Sequence, residues 1–147
     1  MIVKSFLAIF IFSFLTISAQ ASDTFIGYIK TVKGEAIITR GNHVITVQPN
    51  EQIARNDVLK TGPHSSVGIT LKDDTLIAMG SNSEIVISEF EFSPGEGKLS
   101  LFTRMLKGSV EYVSGIIGKL SPETVKFSTP VGDIGLRGTR FAVRIAD

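Results

Sequence analysis

The sequence predicts an all-β fold with no substantial helix after its first 21 residues. Three observations predict it. Short runs of β-branched and aromatic residues alternate with polar ones, clusters of Gly, Asn, Asp and Ser divide these runs, and nowhere is a helical apolar period the better fit. The expected architecture is an elongated, two-faced β structure of short strands, either solenoid-like or a sandwich.

Phe25 to Thr31, Glu35 to Thr39 and Val44 to Val47 read as the first strands, with Lys33-Gly34 and Arg40-Gly41-Asn42 as the turns between them. Val67 to Leu71, Leu76 to Met79 and Ile85 to Ile87 follow, separated by Lys72 to Thr75 and Gly80 to Ser83. Val67, Leu76 and Ile85 recur every nine residues, a spacing that an antiparallel meander and stacked rungs share over three strands, whereas four-residue connections suit antiparallel hairpins. Glu89-Phe90-Glu91-Phe92 alternates strictly, placing both Phe on one face and both Glu on the other. Ser93 to Gly97 reads as a loop. Leu99 to Leu106 and Ser109 to Val113 read as two strands divided by Lys107-Gly108, Val125 to Ser128 as a short strand after the break at Pro122, and Phe141 to Ile145 as the last. The 14 glycines fall in or near these breaks, as tight turns requiring positive φ would need.

Residues 1–21 are different in kind. Lys4, an apolar run of about 12 residues from Phe6 to Ile17, and the small-residue exit Ala19-Gln20-Ala21 form the pattern of a cleavable secretory signal peptide. The run is too short for a spanning helix, which needs about 20 residues. Residues 22–147 are therefore expected to be one exported domain, most simply periplasmic and with no transmembrane span. Lys4 is the one charge in the leader, so its removal leaves 14 basic and 14 acidic side chains in balance. Such a chain offers no general attraction to polyanions, and nucleic acid is not an expected partner. The absence of Cys excludes disulfides, thiol catalysis and Cys-ligated zinc.

No catalytic set assembles in the sequence. His43 and His64 stand in turn clusters, where exposed histidines are commoner than metal ligands, although the fold would have to bring them to a third group such as Asp57 to bind a metal. Asp57, His64 and Ser65 name a hydrolase triad only formally, because no Gly-x-Ser-x-Gly elbow is present. Gly132, Gly135 and Gly138 lack the ending of a phosphate loop, and Asp73-Asp74 lacks a calcium-loop context. Near the C-terminus, Arg140 and Arg144 share one face of an extended segment and Arg137 takes the other. Arg137 is expected to pin a bend by pairing with a carboxylate such as Asp133 or Asp57. Neither an enzyme nor a cofactor is expected.

One order of motifs resembles a known family. Gly34, the phrase Ile53-x-x-Asn56-Asp57-x-Leu59-x-Thr61-Gly62, Ser65-Ser66-Val67, and Leu71-x-Asp73-Asp74-Thr75-x-Ile77 are followed by Gly108 to Gly115, Thr129-Pro130-Val131, and Ile134 to Phe141. Over about Ile26 to Ile145 this resembles the FecR domain of exported bacterial proteins. Thr-Pro followed by Arg-Gly-Thr-x-Phe is the most telling part. The resemblance marks Asp57, Thr61, Gly62, Thr129, Pro130, Arg137, Gly138, Thr139 and Phe141 as structural or interaction residues, with Asp57 and Thr61-Gly62 in a tight turn. Asp74 stands where the family usually has Gly, at a turn position that Asp tolerates better than most residues.

The resemblance implies a non-enzymatic periplasmic domain. In the namesake regulators it lies beyond a membrane helix and passes a signal inward; this sequence resembles instead the stand-alone secreted members. What it implies here is a binding role, with a periplasmic or envelope protein as partner in signalling or assembly. Relatives commonly continue beyond the Phe141 position with another hairpin, so the last sheet edge is expected either to close differently or to stay open to that partner by strand addition. The alternative is an envelope carbohydrate or anionic ligand held by Arg140, Arg144 and nearby Phe141.

Overall fold

A computed structural model describes residues 24–136 and 139–146; the expected leader and the Arg137-Gly138 pair lie outside them. Twelve strands follow in chain order: β1 Phe25–Lys33, β2 Ala36–Arg40, β3 His43–Thr46, β4 Gln52–Ala54, β5 Val58–Thr61, β6 Ser66–Leu71, β7 Leu76–Met79, β8 Glu84–Ser93, β9 Lys98–Val113, β10 Val125–Thr129, β11 Gly132–Gly135 and β12 Arg140–Ile145. The helical content is small: α1, Ile116–Leu120, and single 3-10 turns at Pro94–Glu96 and Pro122–Thr124. The all-β expectation holds. No helix among the described residues is long and apolar enough to cross a membrane.

The strands form one curled sheet, ordered β3-β2-β5-β8-β9-β7-β6-β1-β4, with β10, β11 and β12 attached beside β9. Neighbours run antiparallel except β9 with β10. This excludes stacked parallel rungs and decides the nine-residue recurrence in favour of antiparallel neighbours. Because β6 and β7 reverse direction, Val67 lies opposite Met79 rather than Leu76. Val67 and Ile85 are buried while Leu76 faces out. Alternation with period two, not the longer recurrence, sorts the side chains. It does so correctly at Glu89 to Phe92, where Phe90 is buried and both Glu are exposed.

The curl divides the sheet into two halves that share β9. Its N-terminal part pairs with β8 and β10, and its C-terminal part with β7 and β12. Between the halves lies one apolar cluster, to which Ile38, Leu59, Ile85 and Leu101 come from one half and Ile29, Ile69, Ile77 and Tyr112 from the other. Full burial of each aliphatic side chain contributes roughly 1.5–3 kcal/mol before conformational entropy is counted. Neither half can bury its apolar face alone, so the bend in β9 is a condition of the core.

Gly108 makes that bend. It has φ +91 and separates the two pairing zones, so Lys107-Gly108, expected as a break between strands, is a kink within one 16-residue strand. A Cβ at this position would overlap the Ser83 Cα and side chain. Asp74, with φ +66, occupies the left-handed position for which Gly is better suited. Strands β4, β5 and β11 are not among those the sequence pattern marks; the glycines of β11 carry no strand propensity, and it forms by backbone pairing with β10.

Gly108→Ala should therefore lose about 3 kcal/mol, from left-handed strain and the Ser83 overlap, and melt roughly 10 °C lower. Gly95→Ala, in a loop with nothing near the added Cβ, should stay within about 0.5 kcal/mol in the same thermal scan.

Candidate functional site

The motif residues divide between a polar seam that joins strands and an edge that leaves backbone groups unpaired. In the seam, Asp57 is 1% exposed beyond the β4–β5 turn. Its carboxylate accepts both prongs of the Arg40 guanidinium, at 2.9 and 2.7 Å, and the Ala54 N–H at 2.8 Å. Arg40 also donates to the Gln52 carbonyl and lies over the Phe25 ring. Arg40 and Asp57 face each other at the end of the β2–β5 ladder, and through the Gln52 carbonyl and the Ala54 N–H they also hold β4, the far end of the sheet order, so the pair fastens that end beside β2. One of the two carboxylates considered for Arg137 is thereby held by Arg40, a residue the sequence offered only as part of a turn.

Thr61 is the buried last residue of β5, so it lies in a strand rather than a turn, whereas Asp57 follows the β4–β5 turn and Gly62 opens the β5–β6 turn at Pro63-His64. The Thr61 hydroxyl donates to the Gly80 carbonyl at 2.6 Å and accepts the Ser83 N–H at 2.9 Å. Ser83 Oγ in turn accepts the Ser109 N–H and donates to the Ser109 carbonyl. Ser65 Oγ accepts the Glu35 N–H and donates to the Pro63 carbonyl. Each hydroxyl of the nominal triad region is thus engaged with backbone. His64 is exposed in its turn at φ +51, and His43 is exposed at the start of β3.

Asp73 is a second buried carboxylate. It accepts from the Thr75 N–H and hydroxyl and from the Ile117 N–H, holding the β6–β7 turn against α1. Gly115 fits against the backbone of that turn, where a Cβ would overlap the Asp73 carbonyl. Nearby, the Tyr112 hydroxyl is buried without a hydrogen-bond partner among the described residues, although Thr75 and Ser114 lie close. Burial holds its pKa above the usual 10.0, and the Asp73 charge pushes in the same direction.

The edge belongs to the C-terminal motif. Thr129 ends β10, and its hydroxyl donates to the Gly132 carbonyl across the turn that contains Pro130. The Thr139 carbonyl accepts the Ser114 N–H at 2.7 Å and sets the register of β12 on β9. Phe141 turns inward, stacked on Tyr112 at 4.9 Å and edge-on to Phe127 at 5.2 Å. Arg140, Ala142 and Arg144 face out, as the shared face of the two arginines predicted. Phe141 is therefore not an aromatic platform beside them.

Four strands lie at sheet edges among the described residues: β3, β4, β11 and β12. With six residues, β12 is the longest. Antiparallel pairing alternates bonded and unbonded residues, and the Ser114–Thr139 bond fixes the phase. Phe141, Val143 and Ile145 direct their N–H and C=O groups to β9, and Arg140, Ala142 and Arg144 direct theirs outward. Beside this edge, a shallow cleft of about 460 Å³ runs over Ala78, Glu111 and Ala142 toward Arg144.

The family model described as FecR protein matches residues 57–147. The chain belongs to the FecR family. The match takes in β5 to β12, the two serine and threonine contacts of the seam and the β12 edge; β1 to β4, with the Gly34 turn, precede it. FecR is a regulatory, signalling-related family. No curated protein and no solved structure matches the chain.

Thr61→Val should cost about 2–3 kcal/mol, because it leaves the Ser83 N–H and the Gly80 carbonyl without their partner, while Thr61→Ser should cost under about 1 kcal/mol; urea midpoints distinguish them. Tyr112 supplies a pH dependence of definite sign. Its folded pKa is raised, so its contribution is complete below pH 10 and declines as pH rises above 10, where the unfolded chain ionises first. Tyr112→Phe should be at least as stable within about 1 kcal/mol at pH 8 and should lose less melting temperature than wild type between pH 8 and 11.

Proposed function

We propose that this FecR-family chain is a non-catalytic interaction module of the cell envelope, which accepts a segment of a partner protein on the outer edge of β12. The observation that carries the reading is the row of backbone donors and acceptors directed outward from Arg140, Ala142 and Arg144. An edge of this kind supplies affinity through main-chain hydrogen bonds and leaves specificity to the side chains. Its position within the family-matched region supports the same reading, as does the engagement of Asp57, Thr61 and Ser65 in structural contacts.

Residues 1–21 act in this proposal as a cleavable leader that delivers a single domain, residues 22–147, to the periplasm. The partner is an envelope protein of a signalling or assembly system, and the motif residues of the seam keep the sheet in the shape that presents β12. The carbohydrate or anionic-ligand alternative is less supported, because Phe141, the aromatic it would need beside the arginines, is packed inward on Tyr112.

The edge can be blocked without disturbing the ladder beneath it. Ala142→Pro removes an outward N–H and no bond to β9, whereas Val143→Pro removes a ladder bond. Ala142→Pro should melt within about 5 °C of wild type, and Val143→Pro should lose more than about 2 kcal/mol. In capture from periplasmic extract, a partner held by wild type should be absent with Ala142→Pro; equal retention by both would sink the edge reading.

A further inference from the structure

The β12 edge has a chemical pattern that narrows what can pair with it. Arg140, Ala142 and Arg144 lie on the exposed face, and Phe141, Val143 and Ile145 are half-buried against the core. Arg140 is paired with Glu111 through a close ion pair. Arg144 forms no ion pair among the described residues and stands at the cleft beside Ser109 and Gly80. An incoming strand therefore meets the Arg140–Glu111 pair, a methyl and the cation of Arg144, unpaired among the described residues, on one face, and an apolar ridge on the other.

The pleat dictates the complementary sequence. Side chains of an added strand alternate in step with those of β12, so residues opposite Arg140 and Arg144 share the outer face, and those opposite Phe141 and Val143 extend the inner one. We propose, resting on the edge-docking reading above, that β12 selects an extended protein segment alternating acidic and apolar residues. Its carboxylates lie opposite Arg140 and Arg144, a small residue lies opposite Ala142, and its apolar side chains cover the open flank of Phe141 and Val143.

Two other occupants fit less well. A second copy pairing antiparallel about Ala142 would set Arg140 of each chain against Arg144 of the other, and like charges directly opposite oppose pairing. A small anion would have to draw the two guanidinium groups together across about 13 Å of strand at 3.3 Å per residue and pull Arg140 away from Glu111. An extended chain spans that distance with the same periodicity.

The test is a titration of the isotopically labelled protein with a blocked nonapeptide carrying Glu-Val-Thr-Val-Glu at its centre, beside a version with both Glu replaced by Lys. The acidic peptide should slow hydrogen exchange at the amides of Arg140, Ala142 and Arg144 and bind at least about tenfold more tightly than the lysine version. Arg144→Glu should remove or reverse that preference. If both peptides protect the β12 amides equally, edge docking stands and the acidic selection is wrong. Absence of binding by the acidic peptide, or protection confined to other strands, overturns the proposal, while the capture comparison with Ala142→Pro decides the edge reading by itself. Concentration-dependent dimerisation that protects the same amides would overturn it in favour of a second copy.

Discussion

The close approach of Gly108 to Ser83 is the constraint on which the rest of the structure depends. A single strand serves both halves of the sheet, and it can do so only by turning where its partners change from β8 to β7. Gly108 supplies the left-handed backbone and the missing Cβ, and Ser83 fills the corner with a hydroxyl that bonds both backbone groups of Ser109. Thr61 secures Ser83 from the other side by accepting its N–H. Bending the strand would otherwise leave buried backbone groups without partners, at a cost of about 1–3 kcal/mol each. The seam of hydroxyls is the local answer to the break in the ladder, and apolar side chains of similar size could not provide it.

Arg40 and Asp57 address the other consequence of curling, which is that the ends of the sheet must meet. A buried carboxylate is costly unless its oxygens are occupied, and here each prong of the guanidinium and the Ala54 N–H occupy them. The fork fixes orientation as well as distance, a property that a lysine or an apolar pair would lack. Corner and clasp thus act at different places on the same shape: one permits the curl, and the other holds it closed around the core.

Legibility in the sequence follows from how local each cause is. Alternation is local, so most strands, the inward turn of Phe90 and the common face of Arg140 and Arg144 are legible from neighbouring residues, while the left-handed Asp74 position is legible only through the resemblance, which has Gly there. Gly108 reads as a break because a glycine kink within a strand and a glycine turn between strands have the same composition. The five residues of α1 are too few to show a period, and β11 owes its existence to β10 rather than to its own side chains. The partner of Asp57 lies 17 residues away, and the Ser83–Ser109 contact spans 26; their chemistry was visible but their pairing was not. The FecR motif pointed to Asp57 and Thr61 without saying what they touch.

The same period-two rule connects packing to presentation at β12. Phe141 must face inward to stack on Tyr112, and that choice compels Arg140, Ala142 and Arg144 to face outward. The Thr139 carbonyl, bonded to the Ser114 N–H, gives the inward residues the ladder bonds and leaves the outward ones with free backbone groups. Side-chain face and hydrogen-bonding direction are consequently locked in phase: every residue that offers its backbone to an incoming chain also offers an arginine or a methyl. A shift of one residue would expose Phe141, Val143 and Ile145 together with their amides, an apolar edge suited to indiscriminate pairing. Core packing around Tyr112 thereby sets the chemistry of the edge, and the half of the chain that holds β12 in register has a bearing on recognition without touching a partner.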